Sequence, residues 1–361
     1  MDIIFNPPDN EENRYIQLLV GQLRTKGFRI HPLDTVFSSR KHFRSIKLVH
    51  LNWFENIDDS SFFSALRSFL RKLLVLNVLH CSGKLLVWTL HNRATHEKGT
   101  AFFSRTITRL LVRWADNIVI HSAQSEAVLA AYSIKALERV AYVAHPHFIG
   151  VYGDALPRTL RHGDSLRLLF IGMVKPYKNL ELLIDVVGNF GQGVQLTIAG
   201  KAVDKGYGKE LSARAEAVGN VVLLPHFVPD GELAQLLGSA DAVVLPYDLE
   251  SSLNSGTAIL AFSYKKTVIC PEIGTMLDLG SRMVDTFCYR YQTAGQHREA
   301  LAQQIERALV LKRNDPAALA NMGERLYRHI LVAHAPDRVG EELARLYRRT
   351  IDKHRIVNKI D

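Results

Sequence analysis

The chain has 361 residues, 47% apolar and 22% charged, with a formal net charge of +9, which excludes a disordered chain and exceeds one usual domain. Its three cysteines, Cys81, Cys270 and Cys288, are far apart and form no metal-ligand spacing, which points to a reducing compartment. No run approaches the ~20 apolar residues of a membrane span, and MDIIFNPPDNEENR lacks the basic and apolar regions of a signal peptide, so the expected place is the cytoplasm or the cytoplasmic face of a membrane.

In chain order, DIIF, GFRIHPL, KLVHLNW, GKLLVWTLH, NIVIHS and VAYVAHP read as strands, with helices at residues 12–26, 60–79, 100–114 and 124–132. The second helix, in SSFFSALRSFLRKLLVLNVLH, combines Phe62, Phe63, Leu66, Phe69, Leu70 and Leu73 with Arg67, Arg71 and Lys72. This is the make-up of an interfacial helix, and equally of a helix packed on a sheet with its basic side in solvent. Residues 1–165 hold 21 Lys and Arg against 14 Asp and Glu, so +7 of the total charge lies in this half and suits an anionic membrane surface. A nucleic-acid partner is not expected despite a pI of about 9.4, because no stacking platform of aromatic and basic residues accompanies the charge.

Polar groups collect where strands of this half end. HLNWFEN offers His50, Trp53 and Glu55, and HNRATHE offers His91, His96 and Glu97. His145 and His147, in AHPHFIG, lack a ligand spacing, and no metal is expected. Residues 153–165 are rich in Gly, Pro and charge. The expected division is a first domain at 1–155, a linker at 156–165, a second domain at 166–340 and a C-terminal helix at 341–361.

The second half repeats the alternation, with strands LRLLFIG, VQLTIAG, VVLLP, DAVVLPY and TVIC and helices near 179, 207, 230 and 257. Its first unit, LRLLFIGMVKPYKNLELLIDV, runs from a buried parallel strand through a turn to a helix. Gly172 lets the backbone approach a ligand, and Lys175 and Lys178 lie beside a helix start, where free N–H groups and the helix dipole favour an anion. In DAVVLPYDLESSLNSGTAILAFSYKK, a small polar loop places Asn254, Ser255, Gly256 and Thr257 at the start of another helix. Such a nest binds a diphosphate without a metal, although a capped helix has the same composition. Phe227 and Val228, in LLPHFVP, are placed at a strand end to line a nucleotide base or to pack in the core.

The second half resembles the donor domain of GT-B glycosyltransferases, which transfer a sugar from a nucleotide carrier. Together HLNWFE, WTLHNRATHE, IGMVKPYKN and LPYDLESSLNSG resemble the bacterial exopolysaccharide glycosyltransferases that include the xanthan-type β-mannosyltransferases. The resemblance implies two Rossmann-like doubly wound domains facing a cleft, a nucleotide sugar as co-substrate (GDP-mannose favoured), no cofactor, and a lipid-linked or other glycan acceptor. It departs from many retaining members of the fold. Those carry two glutamates eight positions apart, where this chain has Ser252 and Leu260, with Glu250 out of register.

Inversion then becomes the expected outcome, and it needs a base in the first domain. Glu97 is preferred over Glu55, and His91 takes a substrate-contact role by resemblance. Two alternatives stand beside this reading: a retaining transferase using a UDP-sugar, and a nucleotide-sugar epimerase of the same fold. The epimerase would leave the basic first half unexplained.

Overall fold

The computed structural model describes residues 1–10, 14–58, 61–93, 101–156 and 165–360, and it divides into two compact units, Met1–Pro146 with His334–Asp361, and His147–Ala333. In the first, strands β1 (Asp2–Asn6), β2 (Arg29–His31), β3 (Leu48–Asn52), β4 (Leu85–Leu90), β5 (Asn117–Ile120) and β6 (Val140–Tyr142) form a sheet in the order β2-β1-β3-β4-β5-β6. All its pairings are parallel. The helices α1 (Arg14–Thr25), α2 (Arg40–Ser45), α3 (Phe62–Cys81), α4 (Ala101–Trp114) and α5 (Ser125–Tyr132) connect them. Every residue of β3 and β4 is buried, as expected for strands covered on both faces.

The second unit contains β7 (Leu166–Ile171), α6 (Leu180–Gly188), β8 (Val194–Ala199), α7 (Lys205–Val218), β9 (Val221–Leu224), α8 (Asp230–Ser239) and β10 (Ala242–Val244). It continues through α9 (Gly256–Ser263), β11 (Thr267–Pro271), α10 (Gly274–Leu277), β12 (Phe287–Tyr289), α11 (Ala294–Asn314) and α12 (Pro316–Ala333). Its parallel sheet runs β12-β11-β10-β7-β8-β9. From β7 the chain builds outward through β8 and β9, then returns to β10 and builds the other way. The direction of winding reverses between β7 and β10, and a crevice opens beyond the carboxyl ends of two such strands.

The predicted strands and helices appear within a few residues of their expected places, but the unit boundaries do not coincide with the expected domain limits. The chain joins the second unit before the polar linker: Phe148 N–H donates to Ser263 Oγ at 2.9 Å, Tyr152 N–H to the Tyr264 hydroxyl at 3.1 Å, and that hydroxyl to the Gly153 carbonyl at 2.9 Å. The C-terminal helix α13 (Pro336–Ile360) begins earlier than expected and belongs to the first unit. Val339, Leu343, Tyr347 and Ile351 recur on one helical face and are buried there. Tyr347 meets the Phe28 ring edge-on at 5.6 Å and hydrogen-bonds His50 Nδ1.

Candidate functional site

At the switch point of the second unit, the two segments singled out by sequence come together. Gly172, with φ of 132°, directly follows β7, and a Cβ placed on it would lie 3.7 Å from Thr257 Oγ1 at the start of α9. Residues Pro176–Lys178 form a 3-10 turn, and Asn179, expected as the first helical residue, instead takes a left-handed conformation with φ 52°. Asparagine tolerates that region better than most side chains. Its amide Nδ2 donates to the Pro246 carbonyl at 3.0 Å, and Asp248 N–H to the Tyr177 carbonyl at 3.2 Å. These two bonds tie the lysine turn to the loop after β10.

Lys178 lies half-buried with its ammonium 3.6 Å from the centre of the Tyr247 ring and 4.9 Å from that of Tyr177. Burial lowers its pKa, and Tyr177 opposes the shift. The two rings hold the cation in a fixed place with little water around it, where its charge acts most strongly. Lys175 is also half-buried, at the N-terminal edge of the same turn.

The Ser255 hydroxyl caps α9, accepting from Ala258 N–H at 3.0 Å, while the Ser255 N–H donates to Thr275 Oγ1 at 2.9 Å. Its side chain therefore shapes the nest. Gly256 and Thr257, in the first turn of α9, have no carbonyl four residues back within the helix and present their N–H groups outward. Asn254 is half-buried just before the cap. Phe227 is half-exposed beyond the end of edge strand β9, while Val228 is buried. Ser252 is buried and Leu260 half-buried, so neither expected glutamate position carries a carboxylate, and Glu250 is exposed on the turn before them.

Two residues of this site escaped the sequence reading. Tyr247 is fully buried beneath Lys178, its phenol within hydrogen-bonding reach of Ser255 and Thr257 and its pKa pushed up to about 12 by burial. Gly200, at the end of β8, packs so closely on Gly172 that a Cβ there would run into the Gly172 carbonyl oxygen. The glycine closing VQLTIAG was the available signal.

Lys178→Ala and Lys175→Ala are each expected to weaken binding of a nucleoside diphosphate. Each removes a charge-assisted contact worth roughly 1.5–3 kcal/mol, or about ten- to a hundred-fold in affinity. Calorimetric titration beside a circular-dichroism melt checks this. Unchanged affinity in both variants, with intact melts, removes the phosphate assignment.

In the first unit, the ends of β3, β4 and β5 carry a buried aromatic and histidine cluster. His91 stacks on Trp53 at 4.1 Å and hydrogen-bonds Asn52 Oδ1 through Nε2 at 3.1 Å, and Tyr15 OH meets His121 Nε2 at 2.8 Å. Trp53 itself has a left-handed φ of 49°. His50 is taken up by the core, with Thr89 Oγ1 at 2.7 Å and Tyr347 on its other nitrogen. His145 is half-buried beside Tyr15, and His147 is buried at the start of the second unit.

Glu55 is only 4% exposed and accepts the Trp88 indole N–H at 3.0 Å. Both line a pocket of about 310 Å³ that Arg93, Arg105, Thr108 and Tyr132 also border. Glu97 and His96 lie outside the described residues. Among the described residues, no group of three or more His, Cys, Asp and Glu is arranged to hold a metal ion.

Burial sets the acid response of this unit. It pushes the pKa of His50 down to about 3, that of His121 to about 4 and that of His91 well below 6.5, with neighbouring histidines adding to the depression. The unfolded chain binds protons near pH 6.5 while the folded chain does not. Stability from these groups is therefore full above about pH 6.5 and is lost as the pH falls toward 4. The thermal midpoint is expected to drop steadily between pH 6.5 and 4.5, and a midpoint that stays level over this range contradicts the neutral cluster.

Two Rossmann-like units with open parallel sheets, the second wound as in dinucleotide-binding domains, define the GT-B fold. Residues 155–325 match the family model of glycosyl transferases group 1. The GDP-mannose:glycolipid 4-β-D-mannosyltransferase of Xanthomonas campestris is 28% identical over 203 residues. That match covers 55% of this chain and 53% of the relative, about half the length of each.

Among solved structures, sucrose-phosphate synthase from Thermosynechococcus elongatus superposes with a TM-score of 0.73 at 16% identity, over 98% of this chain and 100% of that one. Anabaena HepE in complex with UDP-glucose gives 0.69 at 14% identity, over 97% and 100%. At these identities the likeness is one of fold.

Proposed function

We propose that the chain is a glycosyltransferase that moves a hexose from a nucleotide sugar, GDP-mannose favoured, to a lipid-linked oligosaccharide or other glycan acceptor in polysaccharide biosynthesis. The observation that carries the reading is the meeting of Gly172, Thr257 and the ring-held Lys178 at the switch point of the segment that matches the group 1 glycosyl transferases. A closely approached backbone, outward N–H groups and a fixed cation are what a diphosphate leaving group needs, since the charge it gains on departure is met without rearrangement. The activity of the Xanthomonas relative supports GDP-mannose and a glycolipid acceptor.

Transfer proceeds without a metal ion and with inversion. The acceptor hydroxyl gives its proton to a carboxylate as it attacks the anomeric carbon, and the nucleoside diphosphate departs from the opposite face onto Lys175, Lys178 and the N–H groups of α9. Ser252 and Leu260, in place of the paired glutamates, support inversion. The protein works peripherally on the inner face of the cell membrane, drawn there by its basic first half. No helix among the described residues is long and apolar enough to cross a bilayer.

A panel of GDP- and UDP-sugars tested for stabilisation against heat identifies the donor. A ligand present at a hundred times its dissociation constant adds about 2.7 kcal/mol, and GDP-mannose is expected to raise the midpoint most. A larger rise with a UDP-sugar, with retained configuration in the product by NMR, would replace this reading by the retaining one.

A further inference from the structure

The amino ends of strands β7, β10 and β11 border a pocket of about 200 Å³ whose charges do not balance. Arg167, Lys265, Lys266 and Lys312 line it against two carboxylates, Asp241 and Glu324. Both carboxylates are already engaged. Asp241 accepts from the Arg167 backbone N–H at 2.9 Å, from the Arg167 guanidinium through Nη2 at 3.0 Å and from Lys312 Nζ at 3.0 Å. Glu324 pairs with Lys265 at 3.1 Å and with Arg328 at 3.2 Å. The Asp241 set ties β7, the residue before β10 and helix α11 together, and Lys312 of α11 is buried in that tie.

Lys266 stands outside it. Half-buried directly before β11, it donates to the Ala240 carbonyl at 2.8 Å, and among the described residues no carboxylate forms an ion pair with it. Burial pushes its pKa down to about 8; Asp241 opposes the shift, and Arg167 and Lys312 add to it. An ammonium drawn out of water and crowded by other cations is costly unless an anion completes its surroundings.

Size and lining narrow the anion. Leu156, Pro316, Leu319 and Ala320 give the rest of the wall an apolar character. The volume lies below the roughly 300–1,000 Å³ of pockets for drug-sized ligands, so the ligand is compact. Four cations against two carboxylates leave two positive charges over, and a phosphate monoester carries about −1.5 to −2 at pH 7. Its organic part then has the apolar wall to lie against.

We propose that this pocket binds a small phosphate monoester, with Lys266 as its principal anion ligand and Arg167 and Lys312 supplying the surrounding positive field. The site lies at the other end of the strands from the donor nest. Arg167 is near the start of β7 and Gly172 follows its end, roughly 16 Å further along the strand. Occupants of the two sites therefore do not exclude one another. The inference does not depend on the transfer reaction.

The test is calorimetric titration of the full chain with glycerol 3-phosphate, beside inorganic phosphate and glycerol, with sodium chloride holding the ionic strength constant. Glycerol 3-phosphate is expected to bind with submillimolar affinity, inorganic phosphate several-fold more weakly and glycerol not at all. Lys266→Gln is expected to weaken binding by roughly ten-fold or more while its circular-dichroism melt stays near that of the parent. Lys266→Arg, which keeps the charge, is expected to retain binding. Ala320→Glu, which sets a carboxylate in the wall from α12, is expected to abolish it. Lys178→Ala, altered at the donor nest, is expected to bind glycerol 3-phosphate like the parent.

No heat of binding with glycerol 3-phosphate overturns the proposal, as does parent-like affinity in Lys266→Gln or in Ala320→Glu. A loss of binding in Lys178→Ala also overturns it, because the ligand then sits at the donor nest. Inorganic phosphate binding as tightly as glycerol 3-phosphate overturns it in favour of a free-phosphate site.

Discussion

Gly200→Ala is expected to abolish stabilisation by nucleotide sugars. A Cβ at this position meets the backbone carbonyl of Gly172, which is part of the chain that approaches the diphosphate and has no side chain to swing aside. The turn after β7 must move away from β8, taking Lys175 and Lys178 out of register with α9. Overpacking of this kind costs roughly 1–3 kcal/mol of stability, so the melting midpoint falls as well. Gly191→Ala separates the two effects. Gly191 also has a positive φ, of 50°, but nothing lies within 4 Å of its added Cβ, so this variant loses some stability to backbone strain while keeping donor binding. Donor affinity retained in Gly200→Ala contradicts the placement of the diphosphate against Gly172.

Glu97→Gln is expected to lower turnover by ~10²–10⁴-fold while donor binding survives, because glutamine keeps the size and hydrogen-bonding reach of the side chain but accepts no proton at neutral pH. Glu55→Gln is the comparison. A glutamine amide oxygen still accepts from the Trp88 indole, so the fold around the pocket is kept and a smaller loss is expected. Single-turnover rates with saturating donor distinguish them. A large loss in Glu55→Gln beside a near-normal rate in Glu97→Gln transfers the role to Glu55, whose carboxylate already lies in a pocket of about 310 Å³. Near-normal rates in both variants would leave His91 or a donor-side mechanism with retention.

The donor half of the site was legible in the sequence because its signals are local. A buried strand, a glycine, two lysines and a helix start follow one another in IGMVKPYKN, and the cap residue Ser255 stands directly before its helix. Gly200 and Tyr247 were not legible for the opposite reason. Their roles come from strand pairing, which sets β8 against β7 and β10 on the other side, and no spacing along the chain encodes that adjacency.

A C-terminal helix was expected from residue 341, but its sequence did not show that its partners would be α1 and Phe28, some three hundred residues earlier. The histidines were ambiguous in the same way. His50 and His91 both end up buried, His50 serving Thr89 and Tyr347 and His91 held on Trp53, and only the packing separates those environments.

The transfer reaction itself tests the account most directly. Radiolabelled GDP-mannose is incubated with the protein and a lipid extract, and the label entering the lipid-linked glycan fraction is counted for the parent chain and for Lys178→Ala. The account predicts label in that fraction with the parent and a loss of ten-fold or more at limiting donor with the variant, in line with about 1.5–3 kcal/mol for the missing contact. No label from GDP-mannose or any UDP-sugar, or equal labelling by the two proteins, would contradict it.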